Sequence, residues 1–104
     1  MKKTQLLKGV LEGCVLLIIR EKEVYGYELV QQLKKSGFED IVGGTVYPIL
    51  QKLEKNELTT SIKKPSSDGP DRKYYQITEK GREYCDDFVQ SWKELESSVH
   101  HLID

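Results

Sequence analysis

Gly43-Gly44-Thr45-Val46-Tyr47-Pro48-Ile49-Leu50-Gln51-Lys52-Leu53-Glu54 reads as a short helix with proline in its first turn. Inside a helix proline breaks a hydrogen bond, whereas in the first turn its missing N–H has no intrahelical partner to lose. Thr45 as N-cap puts Pro48 at the third helical position, which pins the helix start. Val46, Ile49, Leu50 and Leu53 follow the i, i+3, i+4, i+7 spacing of a buried stripe. The opposite face carries Thr45, Pro48, Gln51, Lys52 and Lys55. Small, amide and ammonium groups on one side suit a helix lying in a DNA major groove, where amides meet base edges and cations meet phosphates. A solvated helix face has the same composition, so the rest of the chain must decide.

The chain has 104 residues, enough for one small domain with a single core. With 38% hydrophobic and 32% charged residues it has the composition of a folded globular protein. No apolar run approaches the ~18 residues needed to cross a bilayer. Met1-Lys2-Lys3-Thr4-Gln5-Leu6 leads into no small-residue cleavage site. These features point to a cytoplasmic protein without membrane contact. Cys14 and Cys85 lie far apart in apolar helical contexts, as buried small hydrophobes do. A redox or metal-responsive role for them is the weaker alternative, and His100-His101, about 100° apart on a helix, do not share one metal easily. There is no Gly-rich phosphate loop, no Ser/His/Asp set and no metal cluster, so neither an enzyme nor a cofactor is expected.

Net charge is −1, but its distribution is uneven. Residues 79–104 hold seven acids against three bases, a net of −4, which leaves residues 1–78 at +3. A modestly basic body is compatible with nucleic acid if a few cations are well placed and the protein binds as a dimer.

Leu6, Leu7, Val10, Leu11, Cys14, Val15, Leu17 and Ile18 predict a first helix over 4–20. Tyr25-Gly26-Tyr27-Glu28 opens a second, closed by Ser36-Gly37. Gly26 on its buried side admits a close neighbour, unless it is merely a turn glycine. The period then becomes two. Leu58, Thr60 and Ile62 give one strand, residues 65–71 a turn segment, and 72–78 a second strand. Lys63, Lys64, Arg72 and Lys73 flank the hairpin, either to keep an edge strand soluble or, next to a recognition-type helix, as a wing on phosphates. The wing is the favoured reading.

The last segment, 79–104, is a helix capped by Thr78. Tyr84, Phe88, Trp92, Leu95, Val99 and Leu102 form one apolar stripe along it. Such a stripe makes a helix–helix seam, with Phe88, Trp92, Leu95, Val99 and Leu102 at a dimer interface, or else folds back onto its own core. The fold class is therefore mainly α with a small β-hairpin. Residues 1–78 form a winged helix-turn-helix DNA-binding domain, and 79–104 a C-terminal dimerisation helix.

Leu7-Lys8-Gly9 with Leu11-Glu12-Gly13, Tyr25-Gly26-Tyr27-Glu28, Gly44-Thr45-Val46-Tyr47-Pro48, Leu53-Glu54-Lys55 and Arg72-Lys73-Tyr74-Tyr75-Gln76-Ile77-Thr78 together resemble the PadR family of bacterial transcriptional regulators. The single C-terminal helix is similar to that of the short subfamily. The resemblance implies a homodimer on a palindromic double-stranded operator, usually acting as a repressor. Thr45, Pro48, Gln51 and Lys52 would then face bases. Tyr47, Lys55, Lys63, Lys64, Ser66, Arg72 and Lys73 would face sugar and phosphate, although Asp68 and Asp71 lower the charge of the wing tip.

Phe88-Val89-Gln90-Ser91-Trp92 resembles the Phe-x-x-x-Trp of multidrug-responsive members, in which paired tryptophans stack on flat aromatic compounds. That implies a candidate pocket of Val15, Ile18, Phe88 and Trp92 for a planar aromatic effector; an ordinary dimer-core tryptophan is the other reading. From a different class, a winged-helix protein-interaction module is the alternative function.

Overall fold

The computed structural model describes residues 3–7 and 9–104; Met1, Lys2 and Lys8 lie outside the described residues. The first expected helix is two. α1 spans Lys3–Leu7 and α2 Leu11–Glu21. Gly9, at φ +86°, breaks them apart in a conformation that side-chain-bearing residues resist. The apolar pattern runs unbroken through the break, which is why periodicity alone joins the two.

Val24–Tyr25 then forms a two-residue strand, β1, absent from the sequence reading. Two residues carry no period, and only their pairing with Tyr75 and Tyr74 makes them a strand. α3 spans Gly26–Lys35, its first turn tied by Tyr25 N–H donating to Glu28 Oε1 at 3.2 Å. It ends where Ser36-Gly37 marks it. Phe38 N–H donates to the Leu33 carbonyl and Gly37 N–H to that of Lys34, the paired bonds of a Schellman motif with Gly37 at φ +116°.

α4 spans Gly43–Lys55 and closes in the same manner. Leu58 N–H donates to Leu53 O at 2.9 Å and Glu57 N–H to Glu54 O at 3.0 Å. Here the left-handed position is held by Glu57, at φ 64°, not by a glycine. β2 (Thr59–Ser66) and β3 (Gly69–Ile77) follow, and the sheet order is β1-β3-β2, all antiparallel. The segment expected as a long turn, 65–71, is mostly strand, and the reversal takes only Ser67 and Asp68. Pro65 and Pro70 lie where the register shifts between Lys64 and Ser66, a bulge that spares the prolines a ladder hydrogen bond.

α5 runs from Glu79 to Ile103 with Thr78 as N-cap, as expected, its Oγ accepting from Gly81 N–H at 2.9 Å. The same hydroxyl donates to the carbonyls of Glu57 and Leu58, tying the start of α5 to the α4–β2 turn.

The core is built from α2 (Val15, Leu16, Ile19), α3 (Leu29, Leu33), α4 (Val46, Leu50, Leu53), Val24, Tyr75 and Cys85. α5 joins it through Gly81 and Cys85. Phe88 is half-buried, with its ring against Gly13 of α2, where a Cβ would overlap it. From Gln90 onward every residue of α5 is exposed. The 25-residue helix spans about 37 Å, which accounts for most of the 52 Å long axis.

Candidate nucleic-acid interface

α4 buries Val46, Leu50 and Leu53 and half-buries Ile49, so the stripe read from sequence faces the core. Thr45, Pro48, Gln51, Lys52 and Lys55 are all exposed, at 3- and 4-residue spacings along one side. The start of the helix differs from expectation. Its N-cap is the extended Val42, whose carbonyl accepts from Thr45 and Val46 N–H, and no side chain caps it. Thr45 is thus the third helical residue and Pro48 the sixth. Proline here removes the bond to the Gly44 carbonyl. Gly44 is exposed, which leaves that oxygen open to solvent rather than buried without a partner.

The Tyr47 ring packs where α3 and α4 begin. It lies across Gly26 of α3 and Gly43 of α4, and a Cβ on either glycine would meet ring carbons closer than contact distance. Gly26 is therefore a close-approach residue, and its neighbour is a side chain from α4. Tyr47, 47% exposed, fixes how α4 sits on α3 while keeping one edge of the ring in solvent.

The wing projects beside α4. Pleat alternation divides its residues between two faces. Ser61, Lys63, Lys73 and Tyr75 occupy the face toward α4, while Ile62, Lys64, Arg72 and Tyr74 occupy the other, with Lys63↔Lys73 and Lys64↔Arg72 paired in register. Ser66 Oγ accepts from Asp68 N–H at 3.3 Å within the turn. Lys63 and Lys55 are exposed. On the outer face Arg72 stacks over Tyr25 at 4.5 Å and Lys64 over Tyr74 at 4.9 Å. Tyr74 meets Tyr25 edge-on at 5.3 Å.

Three of the expected cations carry partners that sequence reading did not supply. Lys52 Nζ lies 2.7 Å from Glu12 Oε1 of α2, Lys64 Nζ 2.5 Å from Glu23 Oε2, and Lys73 Nζ 2.9 Å from Glu54 Oε1. The Glu12 hydrogen bond and charge raise the Lys52 pKa, and Glu54 does the same for Lys73. Lys64 in turn holds the Glu23 carboxyl below its ordinary value. Lys52, Lys73 and Glu23 therefore stay charged at neutral pH. The Lys52 and Lys64 pairs are at least partly exposed, and such pairs contribute little net energy, so either lysine can exchange its carboxylate for a phosphate at small cost. No sequence signal marks Glu12 and Glu23, which lie 40 or more residues from their lysines.

The residues named for an effector pocket are not gathered into one cavity of the protomer. Val15 is fully buried in the core, Ile18 and Phe88 are half-buried, and Trp92 is 42% exposed on the free part of α5. A shallow groove along α5 is lined by Arg20, Asp86, Val89 and Lys93 among others, and Trp92 is not part of it. Burial raises the thiol pKa of both Cys14 and Cys85. Among the described residues no group of three or more His, Cys, Asp or Glu could hold a metal ion. No helix of the described residues is long and apolar enough to cross a membrane.

The fold recurs in known proteins. A Streptococcus transcriptional regulator of known crystal structure is 54% identical, with 96% of this chain and 98% of that chain covered and a TM-score of 0.86. A PadR-like transcriptional regulator from Bacillus cereus is 49% identical, with 96% and 97% covered and a TM-score of 0.87. The fold alone is shared with Bacillus subtilis PadR, whose structure is in complex with operator DNA. That likeness is 23% identical, covers 77% of this chain and 45% of the other, and has a TM-score of 0.71. The model of the transcriptional regulator PadR-like family matches residues 15–87. With the family model covering most of the chain and the fold shared, the chain belongs to the PadR-like family, whose members are transcriptional regulators and not enzymes.

Proposed function

We propose that the protein is a cytoplasmic homodimer that reads a palindromic operator, with α4 in the major groove and the β2–β3 wing on the flanking backbone, repressing its own or a nearby promoter. The observation that carries this reading is the exposed Thr45–Pro48–Gln51 face of α4, held clear of the core and beside a wing bearing Lys63, Lys64, Arg72 and Lys73. Small and amide groups on that face suit base edges. Lys52, Lys55 and the wing cations, with Tyr47 and Ser66, suit the sugar–phosphate backbone. A protein with the same fold has been captured on operator DNA.

Dimerisation is supported by Trp92, Leu95, Val99 and Leu102 of α5, which stand 42–88% exposed in one stripe. A run of large apolar groups left in water marks an interface, and two-fold dimers match palindromic sites. A flat aromatic effector would lodge between the two Trp92 side chains beside Phe88 and Ile18, and would act by favouring one spacing of the two α4 helices.

The test is fluorescence anisotropy of a labelled duplex from immediately upstream of the protein's gene, against a scrambled duplex, at two salt concentrations. One dimer binding with a preference of roughly a thousandfold, weakened by salt, is expected. No preference, there or after selection from random DNA, would overturn specific recognition and favour a protein partner for the same face. Saturable quenching of Trp92 fluorescence by planar cationic dyes checks the effector site.

A further inference from the structure

The wing is gripped from both faces by carboxylates that come from outside it. On its outer face Glu23, just before β1, meets Lys64 of β2 and accepts from Gln76 Nε2 of β3 at 3.3 Å. On its inner face Glu54 of α4 meets both strands at once. Its Oε1 is 2.9 Å from Lys73 Nζ of β3, and its Oε2 accepts from the Ser61 hydroxyl of β2. The Lys73 ammonium also lies 5.3 Å from the Tyr75 ring centre, with its side chain still 44% exposed. Glu54 is only a third exposed, and it lies four helical residues or fewer from Gln51, Lys52 and Lys55.

A carboxylate on a surface that meets phosphates is a cost by charge alone. Its geometry supplies the reason for its presence. We propose that Glu54 is a positioning residue for operator recognition: by tying Lys73 and Ser61 to α4 it sets the angle between wing and recognition helix. Bases and flanking phosphates are then met in one register. Glu54 touches no DNA in this scheme; it acts through Lys73. The proposal rests on the reading that α4 and the wing bind DNA. Consistent with a tight pair, Lys73 and then Ser61 lower the Glu54 pKa.

Charge counting and positioning give opposite signs, which makes the test decisive. Full-length wild type, Glu54→Ala and Glu54→Gln are titrated against the best duplex selected from random DNA and a scrambled one at two salt concentrations. Amide exchange of the wing is followed in the free proteins. Glu54→Ala should lose about tenfold on the selected duplex, hold or gain on the scrambled one, and exchange its wing amides faster. Its salt slope should also flatten, by about 0.9 per phosphate contact the loosened wing gives up. Glu54→Gln, which still offers an oxygen to Ser61, should fall between. Tighter binding of both duplexes with unchanged wing exchange would overturn the proposal and leave Glu54 as a repelling charge. Absence of any duplex preference in the wild type would instead sink the parent reading, and the proposal with it.

Discussion

At the scale of single residues, two positions carry the argument for how α4 is presented. Gly26 exists to admit the Tyr47 ring, because a Cβ there would overlap the ring carbons. Gly26→Ala should therefore cost about 1–3 kcal/mol, the usual range for overpacking, read as a lower urea midpoint at constant m. The Tyr-Gly-Tyr-Glu motif flagged this glycine, but not what lies on it, since the tyrosine is 21 residues away. Gln51 is the second. Its amide is exposed and free of the core, so Gln51→Ala should leave the fold intact. It should cost about 1–3 kcal/mol on the operator and almost nothing on a scrambled duplex. Equal losses on both would remove its base-reading role.

At the scale of elements, the ends of helices matter most. α3 and α4 close with the same pair of hydrogen bonds, yet one uses Gly37 and the other Glu57 in the left-handed region. Removing the side chain relieves that strain at some cost in unfolded-chain entropy. Glu57→Gly should stabilise the protein by about 0.5–1 kcal/mol in urea titrations. The Ser36-Gly37 stop is legible in the sequence because glycine announces it; the end of α4 near Asn56 is also legible, but nothing marks Glu57 as its left-handed residue.

The wing is the other element with a testable character. The folded pKa of Glu54 is lowered by Lys73 and Ser61, so the stability it contributes is fully present above the ordinary glutamate value of about 4.3. It is lost as pH falls through the lower folded value. Denaturation midpoints followed from pH 6 to pH 3 should drop more steeply for wild type than for Glu54→Gln. Parallel curves would show that the pair contributes nothing to the fold.

At the scale of the molecule, α5 divides into a part that belongs to the core and a part that belongs to nothing in the protomer. Gly81 and Cys85 are buried, whereas Leu95 and Val99 are 56% and 45% exposed. Placing two carboxylates in the stripe, Leu95→Glu with Val99→Glu, should give a folded monomer in sedimentation. That monomer should lose its preference for a palindromic over a half-site duplex. A dimer that survives both charges would move the interface elsewhere. The apolar spacing of the stripe was plain from sequence; that the protomer's own core does not cover it was not.

The division between local and global information follows from range. The α4 stripe, the Thr78 cap, the Schellman stop at Gly37 and the polar face of α4 all depend on residues within one or two turns of each other, so the order of residues is enough to read them. Strand β1 and the three lysine–carboxylate pairs depend on what the rest of the chain brings alongside. Val24 and Tyr25 have no strand signal until β3 offers hydrogen bonds. Lys52 reads as a free cation until Glu12, 40 residues earlier, folds against it. Periodicity reports which side of an element faces inward. Which partner meets an outward charge is settled only when distant elements pack.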